Sequence, residues 1–486
     1  MNSFNSHLFS VALFSMTMGA SSIVAQNSDV YWQDVPSDII TLDEVETIGR
    51  VLYADQVNAL RTPTPIIDVP QSLSIITADQ IQLQGFTSIG DIINYTPGVN
   101  TSMGEGHRDA VVFRGVRSTA DFFIDGVRDD VQYYRPLYNL DQVEVLRGPN
   151  ALLFGRGGTG GILNRVTKKG VIGAEFTSYQ ASINTFGEMG VQIDSNFSTD
   201  ENSAVRINAF YESLENHRDF YDGNRLGVNP TARIRLNPDS ILDLSYEYID
   251  HERFIDRGIP TGSNGRPIKV FKDLVFGDPE LNITKLEAHL LRAALQQEYS
   301  DTLKGNFSAF YGDYDKLYQN FYASSFNQVA TPGEVTLDGY LDTTQRSNFV
   351  ISGNLIGEFE GEGISHTVIV GAEIIDTSSD QDRYNSFWDT TSDDNEIFLL
   401  NRPLNLRGGV GVNSSGATTT NSFTADLNDD THVSIDVFSA YAQDEIALSN
   451  EWDLILGARF DSFDIEVFDV VANETRNRKD EEISPR

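Results

Sequence analysis

The chain has 486 residues, a formal net charge of −36 and no cysteine, and it contains 39 glycines, 19 tyrosines and 29 phenylalanines. This length allows a large core or several domains, the acidic balance argues against nucleic acid as a partner, and the lack of cysteine excludes disulfide bonds and thiolate metal sites. The abundance of glycine, tyrosine and phenylalanine favours a β-rich protein with many turns.

Residues 1–25 have the features of a secretory signal peptide. Residues 8–20 form an apolar core, Ile23-Val24-Ala25 is a plausible cleavage site, and no acidic residue precedes Asp29. The lysine or arginine that normally precedes the apolar core is missing, so a disordered apolar tail is the alternative. We predict that the chain is exported and that residues 26–49, which are polar and acidic, form a flexible N-terminus.

Local signals between residues 50 and 170 predict a small α+β domain. A strand is predicted at 72–76, and Thr77-Ala78-Asp79-Gln80 fits a capping box that opens a short helix. A second helix is predicted at 88–95, where Thr96-Pro97-Gly98 would end it. Two more strands are expected, at 111–114 and 122–124, and Asp125-Gly126 is a strong tight-turn signal.

A glycine-rich stretch closes this domain. It predicts a strand at 143–146, one helical turn at 151–154, a glycine-rich bend and a strand at 162–167. The spacing Gly155-x-Gly157-x-x-Gly160 imitates a dinucleotide-binding fingerprint. That fingerprint requires a helix after the glycines, and the strand predicted here excludes it. A glycine-rich turn in an ordinary β domain remains the alternative.

From residue 174 onward, apolar and polar residues alternate over segments of about ten residues or more, which is the length of a tilted membrane-crossing strand. Soluble sandwich strands are usually about half as long. Short turns also alternate with long connectors, as they do in outer-membrane barrels. The long connectors are predicted at residues 216–227, 256–285, 319–344 and 377–431.

The segment EVLRGPNALLFGRGGTGGILNRVTKKG, residues 144–170, resembles the end of the plug domain of TonB-dependent outer-membrane receptors, close to the ferric-siderophore branch. Residues 68–80, 95–99, 113–116 and 123–128 resemble the rest of that plug in order and spacing. Residues 251–276 resemble an external loop of siderophore receptors, with catecholate receptors as one candidate subgroup. The resemblance implies a transmembrane antiparallel β-barrel enclosing an N-terminal α+β plug domain, with the plug at 50–170 and a partial barrel at 171–486.

The resemblance also implies a TonB box within the flexible N-terminus. Its residues would be Leu42, Asp43, Glu44, Val45, Glu46, Thr47 and Ile48, which form a short segment that favours the β conformation. Such a segment pairs as an added strand with the energising protein, so weak sequence specificity is expected. The implied partner is the TonB-ExbB-ExbD complex, and an ordinary linker is the alternative.

Two plug loops are candidates for the apex that binds substrate. The predicted substrate-binding residues are His107, Arg108, Arg128, Tyr133, Tyr134 and Arg135. Aromatic rings and arginines suit a planar, anionic iron chelate through stacking and charge-assisted hydrogen bonds. The alternative is a solvated loop whose tyrosines anchor the core. His107-Arg108-Asp109 imitates a kinase catalytic loop, but the other kinase motifs are missing.

The function implied is that of an outer-membrane receptor for TonB-dependent uptake of ferric siderophore. No catalytic residue, resident metal or cofactor is expected, because the iron enters as a siderophore complex. Importers of haem, cobalamin or glycans are the alternatives within the family, whereas a porin or adhesin would lack the plug motifs. The alternation predicts about eleven strands and the start of a twelfth near 482–484. Receptors of this family close their barrel with roughly 22 strands. A C-terminally truncated, non-functional fragment is therefore a further alternative.

Overall fold

The computed structural model describes residues 69, 71–148, 155, 158, 160–361, 363–388, 390–400, 415–416, 423–449 and 451–486. The predicted signal peptide, the TonB box and the helical turn at 151–154 lie outside the described residues. No helix within the described ranges is long and apolar enough to cross a membrane.

The described part of the predicted plug domain contains two short helices and two small sheets. The elements are β1 (Ser72–Thr77), α1 (Ala78–Gln84), α2 (Ile89–Asn94), β2 (Val99–Thr101), a 3-10 turn (Gly104–Gly106), β3 (Val111–Phe113), β4 (Val116–Ser118), β5 (Phe122–Ile124), β6 (Val127–Arg128), β7 (Leu140–Arg147) and β8 (Gly161–Thr167). The strand orders of the two sheets are β1-β7-β8-β5-β6 and β2-β3-β4. Strands β5 and β8 run parallel, and the other pairs are antiparallel.

Local chemistry places these elements as predicted. The Thr77 side chain accepts from the Gln80 backbone N–H, and the Gln80 side chain accepts from the Thr77 backbone N–H. These two hydrogen bonds form the predicted capping box. Ser88 and Asp91 cap α2 in the same way. Strands β7 and β8 pair antiparallel, which brings the two ends of the glycine-rich stretch side by side.

The large sheet contains thirteen described strands. The strands are β9 (Phe176–Ile183), β10 (Met189–Asp200), β11 (Ser203–Glu215), β12 (Asp222–Asn237), β13 (Ser240–Phe254), β14 (Ile283–Ser300), β15 (Leu303–Ser325), β16 (Glu334–Gly361), β17 (Ile364–Trp388), β18 (Asn395–Leu399), β19 (Phe423–Ser449), β20 (Trp452–Asp469) and β21 (Glu474–Pro485). Twelve of them are paired in antiparallel fashion in the order β21-β20-β19-β17-β16-β15-β14-β13-β12-β11-β10-β9, and β18 pairs with β16.

The predicted long connectors were wrong in part. Strand β15 continues to Ser325 and β16 begins at Glu334, so most of the predicted connector 319–344 is a paired hairpin. Strand β12 likewise begins at Asp222, inside the predicted connector 216–227, and β17 runs to Trp388. The ladders continue beyond the regular apolar alternation because backbone pairing does not require a lipid-facing side chain. The last strand, β21, also begins earlier than predicted.

The two faces of the large sheet differ in what they contact. Inward side chains such as Leu290 and Phe310, each 1% exposed, pack against Ile124 and Val131 of the plug domain in one apolar cluster. Large apolar side chains such as Leu291, 50% exposed, point away from the plug. An exposed apolar band on long alternating strands is typical of a lipid-facing surface.

Candidate functional site

A cavity of about 750 Å³ lies between two plug loops and the inner face of the large sheet. The plug contributes the turn around His107 and the loop around Gln132. The sheet contributes side chains from β15, β16, β17 and β19, and the loop after β13 contributes Arg257. The cavity is therefore built from segments that are far apart in the sequence.

The plug turn Gly104–Gly106 is held in place by the sheet. Gly104, Glu105 and Gly106 all have positive φ, at 61°, 57° and 79°. A Cβ on Gly106 would lie 3.0 Å from the backbone oxygen of Asp256, and together with the positive φ this close approach favours glycine. The hydroxyl of Tyr318 donates to the carbonyl of Glu105 at 3.1 Å. The turn thus presents its side chains to the cavity from a fixed backbone.

Ionisation in this turn is set by burial and by neighbouring guanidinium groups. The ring of His107 stacks on Tyr318 with centroids 3.8 Å apart. Burial lowers the pKa of His107 to about 3, so the ring is neutral near neutral pH. The His107 ring, followed by Arg108 and Arg257, lowers the pKa of Glu105 to about 2. Glu105 is therefore a carboxylate that neutralises the arginines beside it.

Arginines and tyrosines form the wall opposite the plug. The Arg257 guanidinium lies 3.9 Å from the centre of the Tyr322 ring, and its NH1 donates to the Tyr340 hydroxyl at 3.3 Å. The Arg383 guanidinium lies 4.5 Å from the centre of the Tyr340 ring and donates twice to Asp342, both at 2.7 Å. Such faces can stack on a planar ligand, and the arginines can donate to anionic oxygens.

Two of the six predicted substrate-binding residues, His107 and Arg108, line this cavity. Arg108 donates to Gln132 at 2.5 Å and lies 3.1 Å from Glu105. Its side chain is therefore held toward the cavity by the plug itself.

The structure places the other four predicted residues away from the cavity wall. Arg128 donates to the carbonyl of Ala120 at 2.9 Å. The Arg253 guanidinium stacks on the ring of Tyr134, with its central carbon 3.7 Å from the centre of that ring. Tyr133 and Arg135, both 1% exposed, are buried inside the plug.

Tyr133 and Arg135 belong to a buried ionic cluster centred on Asp129. The Asp129 carboxylate accepts from Arg135 Nε at 3.0 Å, Arg165 NH2 at 2.5 Å and the Tyr133 hydroxyl at 2.8 Å. Burial alone would raise the pKa of Asp129, but Arg135 and Arg165 hold it below the ordinary value. The tyrosine–arginine pattern at 133–135 therefore anchors the plug interior, which was the alternative considered for the tyrosines of this loop.

The sheet side chains that line the cavity were missed by the sequence analysis. The larger of them are Lys316, Tyr318, Tyr322, Tyr340, Asp342, Arg346 and Arg383. A usable signal exists in β15, where even-numbered residues face inward and carry Lys316, Tyr318 and Tyr322. Tyr322 lies within the predicted connector 319–344, where no alternating strand is expected, whereas Lys316 and Tyr318 precede that connector.

Acidification should loosen the plug turn through His107. Its folded pKa of about 3 lies below the ordinary 6.5, so protons bind the unfolded turn first. The stability due to neutral His107 is complete above pH 6.5 and is lost as the pH falls toward 3. The amide exchange rate of residues 104–108, corrected for its intrinsic pH dependence, should increase as the pH is lowered from 6.5 to about 5. The His107→Gln variant should lack this rise, and an equal rise in both proteins would contradict the assignment.

Family comparisons agree with this architecture. Residues 65–162 match the TonB-dependent receptor plug domain. Residues 227–486, more than half of the chain, match the TonB-dependent receptor-like beta-barrel.

Individual relatives and solved structures are also similar. The chain is 27% identical over 420 residues to the probable TonB-dependent receptor BfrD of Bordetella pertussis, covering 82% of this chain and 55% of that protein. It is 30% identical over 224 residues to the catecholate siderophore receptor Fiu of Escherichia coli, covering 45% and 29%. The crystal structure of the siderophore receptor PiuA from Acinetobacter baumannii superposes with a TM-score of 0.77 at 22% identity, covering 89% and 64%.

The chain spans 55% of the length of BfrD and 62% of the length of PiuA in sequence. Within that span, the predicted plug, the antiparallel barrel sheet and the outer-membrane location are confirmed. The chain therefore belongs to the TonB-dependent receptors of the outer membrane.

Proposed function

We propose that this protein is an outer-membrane receptor for the TonB-dependent uptake of a ferric siderophore. The observation that carries the proposal is the cavity between the plug turn and the sheet, where aromatic rings and arginines face one another. A ferric chelate is planar in its ligand arms and rich in anionic or polar oxygens, which this lining suits. The similarity to Fiu and PiuA, which are siderophore receptors, supports the same substrate class.

In this proposal, His107 and Arg108 contact the ligand from the plug, and Tyr340, Arg257 and Arg383 contact it from the sheet and loop. Their positions on the cavity lining support that role. Arg128, Tyr133, Tyr134 and Arg135 act indirectly, since their contacts hold the plug loops in place.

Energy for uptake would arrive through the TonB box at 42–48, in the flexible segment 26–49 that follows a signal peptide at 1–25. The segment would add as a strand to TonB, which is driven by ExbB and ExbD, and pulling would rearrange the plug at 50–170 inside the barrel at 171–486. Iron passes as cargo within its chelate, and no bond is made or broken, so neither a catalytic residue nor a cofactor is required.

Truncation of Tyr340 should weaken ligand binding by about tenfold, because its ring is shared by Arg257 and Arg383 and because stacking at such a site contributes about 1–2 kcal/mol. The Tyr340→Ala variant should be titrated with ferric siderophores by quenching of tyrosine and tryptophan fluorescence. Tyr311→Ala is the matched control, since Tyr311 lies on the outward face of the sheet and is 40% exposed. Equal affinities for the two variants would remove Tyr340 from the site.

Uptake of radioactive iron in the native host tests the function as a whole. A strain lacking this gene should lose uptake of one class of ferric siderophore under iron starvation, and the intact gene should restore it only when TonB is present. Uptake of haem, cobalamin or a glycan that is lost instead would assign the protein to another branch of the family. Uptake that continues without TonB would contradict the proposal.

A further inference from the structure

One cationic side chain of the cavity stands apart from the others. Lys316 on β15 is 8% exposed, and it makes no ion pair or hydrogen bond with any residue that the structure describes. Burying an ammonium group without a partner is costly. A buried lysine that lines a cavity is therefore a candidate for pairing with an anionic group of a ligand. Its side chain lines the cavity.

Three carboxylates of the cavity lining are engaged by arginines. Asp342, on the neighbouring strand, is bound by Arg383 with both contacts at 2.7 Å. Asp130 on the plug accepts from Arg346 at 2.7 Å. Glu105 lies 3.1 Å from Arg108 and 3.8 Å from Arg257. Each arginine of the described cavity lining therefore has a carboxylate partner within the protein, with Glu105 shared by Arg108 and Arg257. Lys316 has no such partner among the described residues.

The neighbours of Lys316 along its row of the sheet are neutral and polar. In the register of the sheet, Lys316 lies opposite Thr344, Thr344 lies opposite Gln381, and Gln381 lies opposite Thr431. All four side chains line the cavity, so they form one row across four neighbouring strands. Such a row offers one positive charge and several neutral hydrogen-bonding groups, which differs from the dense positive field that a highly anionic ligand requires.

We infer that Lys316 determines specificity by pairing with a single anionic oxygen of the ligand. The inference rests on the proposed function and narrows it to ferric chelates of low negative charge, such as a ferric trihydroxamate with one free carboxylate. A trianionic tris-catecholate complex would meet one unpaired cation in the described wall, and the carboxylates of the lining would repel its remaining charge. A site with a buried cation discriminates strongly against a ligand that leaves the cation unpaired.

The test compares one chelate in two forms, a ferric trihydroxamate bearing a free carboxylate and its methyl ester, together with a ferric tris-catecholate. Fluorescence quenching should give an affinity for the free acid that is about 10- to 100-fold higher than for the ester. Lys316→Met should bring the affinity for the acid down to that for the ester, while Lys316→Arg should keep most of the preference. Lys304→Met is the control, because Lys304 is also buried on β15 but near the opposite end of the strand.

The inference is overturned if the wild-type protein binds acid and ester equally, if Lys316→Met keeps the preference, or if the tris-catecholate binds most tightly. In each of these cases binding of a ferric chelate still supports the proposed function. Failure of all three chelates to bind the wild-type protein would overturn both. Circular dichroism of each variant shows whether a loss of affinity reflects a loss of fold.

Discussion

Replacing Asp129 by alanine should destabilise the plug domain by about 3–5 kcal/mol, because two buried guanidinium groups would lose their shared carboxylate. Arg135 and Arg165 are each 1% exposed and both donate to Asp129. The Tyr314 hydroxyl of β15 also donates to Asp129 at 3.4 Å, so the change reaches the contact between plug and sheet.

Denaturant unfolding followed by fluorescence, together with amide exchange of the plug residues, measures this effect. Asp79→Ala is the matched control, since Asp79 is an exposed aspartate in the first turn of α1 and should contribute less than about 1 kcal/mol. If the Asp129→Ala protein unfolds at the same denaturant concentration as the control, the cluster does not stabilise the plug.

Gly161→Ala should be similarly damaging, at about 3 kcal/mol, for steric reasons. Gly161 begins β8 with φ of +147°, and a Cβ there would overlap the carbonyl oxygen of Leu146 and lie 2.9 Å from Cδ1 of Phe113. Leu146 is in β7, so accommodation of the methyl group would push apart the two strands that bracket the glycine-rich stretch.

Limited proteolysis of the folded protein should reveal the change as faster cleavage within the plug. Gly333→Ala provides the comparison, because a Cβ at Gly333 meets no atom within 4 Å and Gly333 does not have positive φ. Cleavage at equal rates in the two variants would show that the β7–β8 pair tolerates the methyl group.

The parts of the fold that could be predicted depend on contacts between near neighbours in the sequence. The capping box at Thr77, the start of the second helix at Ser88 and the turn at Asp125-Gly126 are settled within four residues. The hairpins between long strands follow from alternation and from short polar turns, which fix which strands are neighbours. The resemblance of residues 144–170 then supplied the identity of the domain that these strands surround.

Much of the cavity could not be predicted, because its lining depends on contacts across long stretches of sequence. Lys316 of the sheet and Arg108 of the plug line the same cavity although they are far apart in the sequence, which no local pattern reports. The predicted roles of Tyr133 and Arg135 show the opposite problem. Aromatic and arginine side chains suit both a ligand and a buried ionic cluster, and the nearby Asp129, with Arg165 from β8, decides between the two.

The plug turn connects the cavity to the rest of the plug. Its His107 ring stacks on Tyr318, and its Glu105 carbonyl accepts from the same tyrosine. A ligand that contacts Tyr318 or Arg257 would therefore act on the turn directly, since Arg257 lies 3.8 Å from the Glu105 carboxylate.

The most direct test of the account is the position of the iron itself. Crystals of the protein grown with a ferric siderophore should give an anomalous difference peak at the iron absorption edge. We predict one peak inside the cavity, between the plug turn at 104–108 and the row that contains Lys316. A peak outside the cavity, or a well-ordered ligand bound without contact to His107, Arg108 or the facing strands, would contradict the central claim.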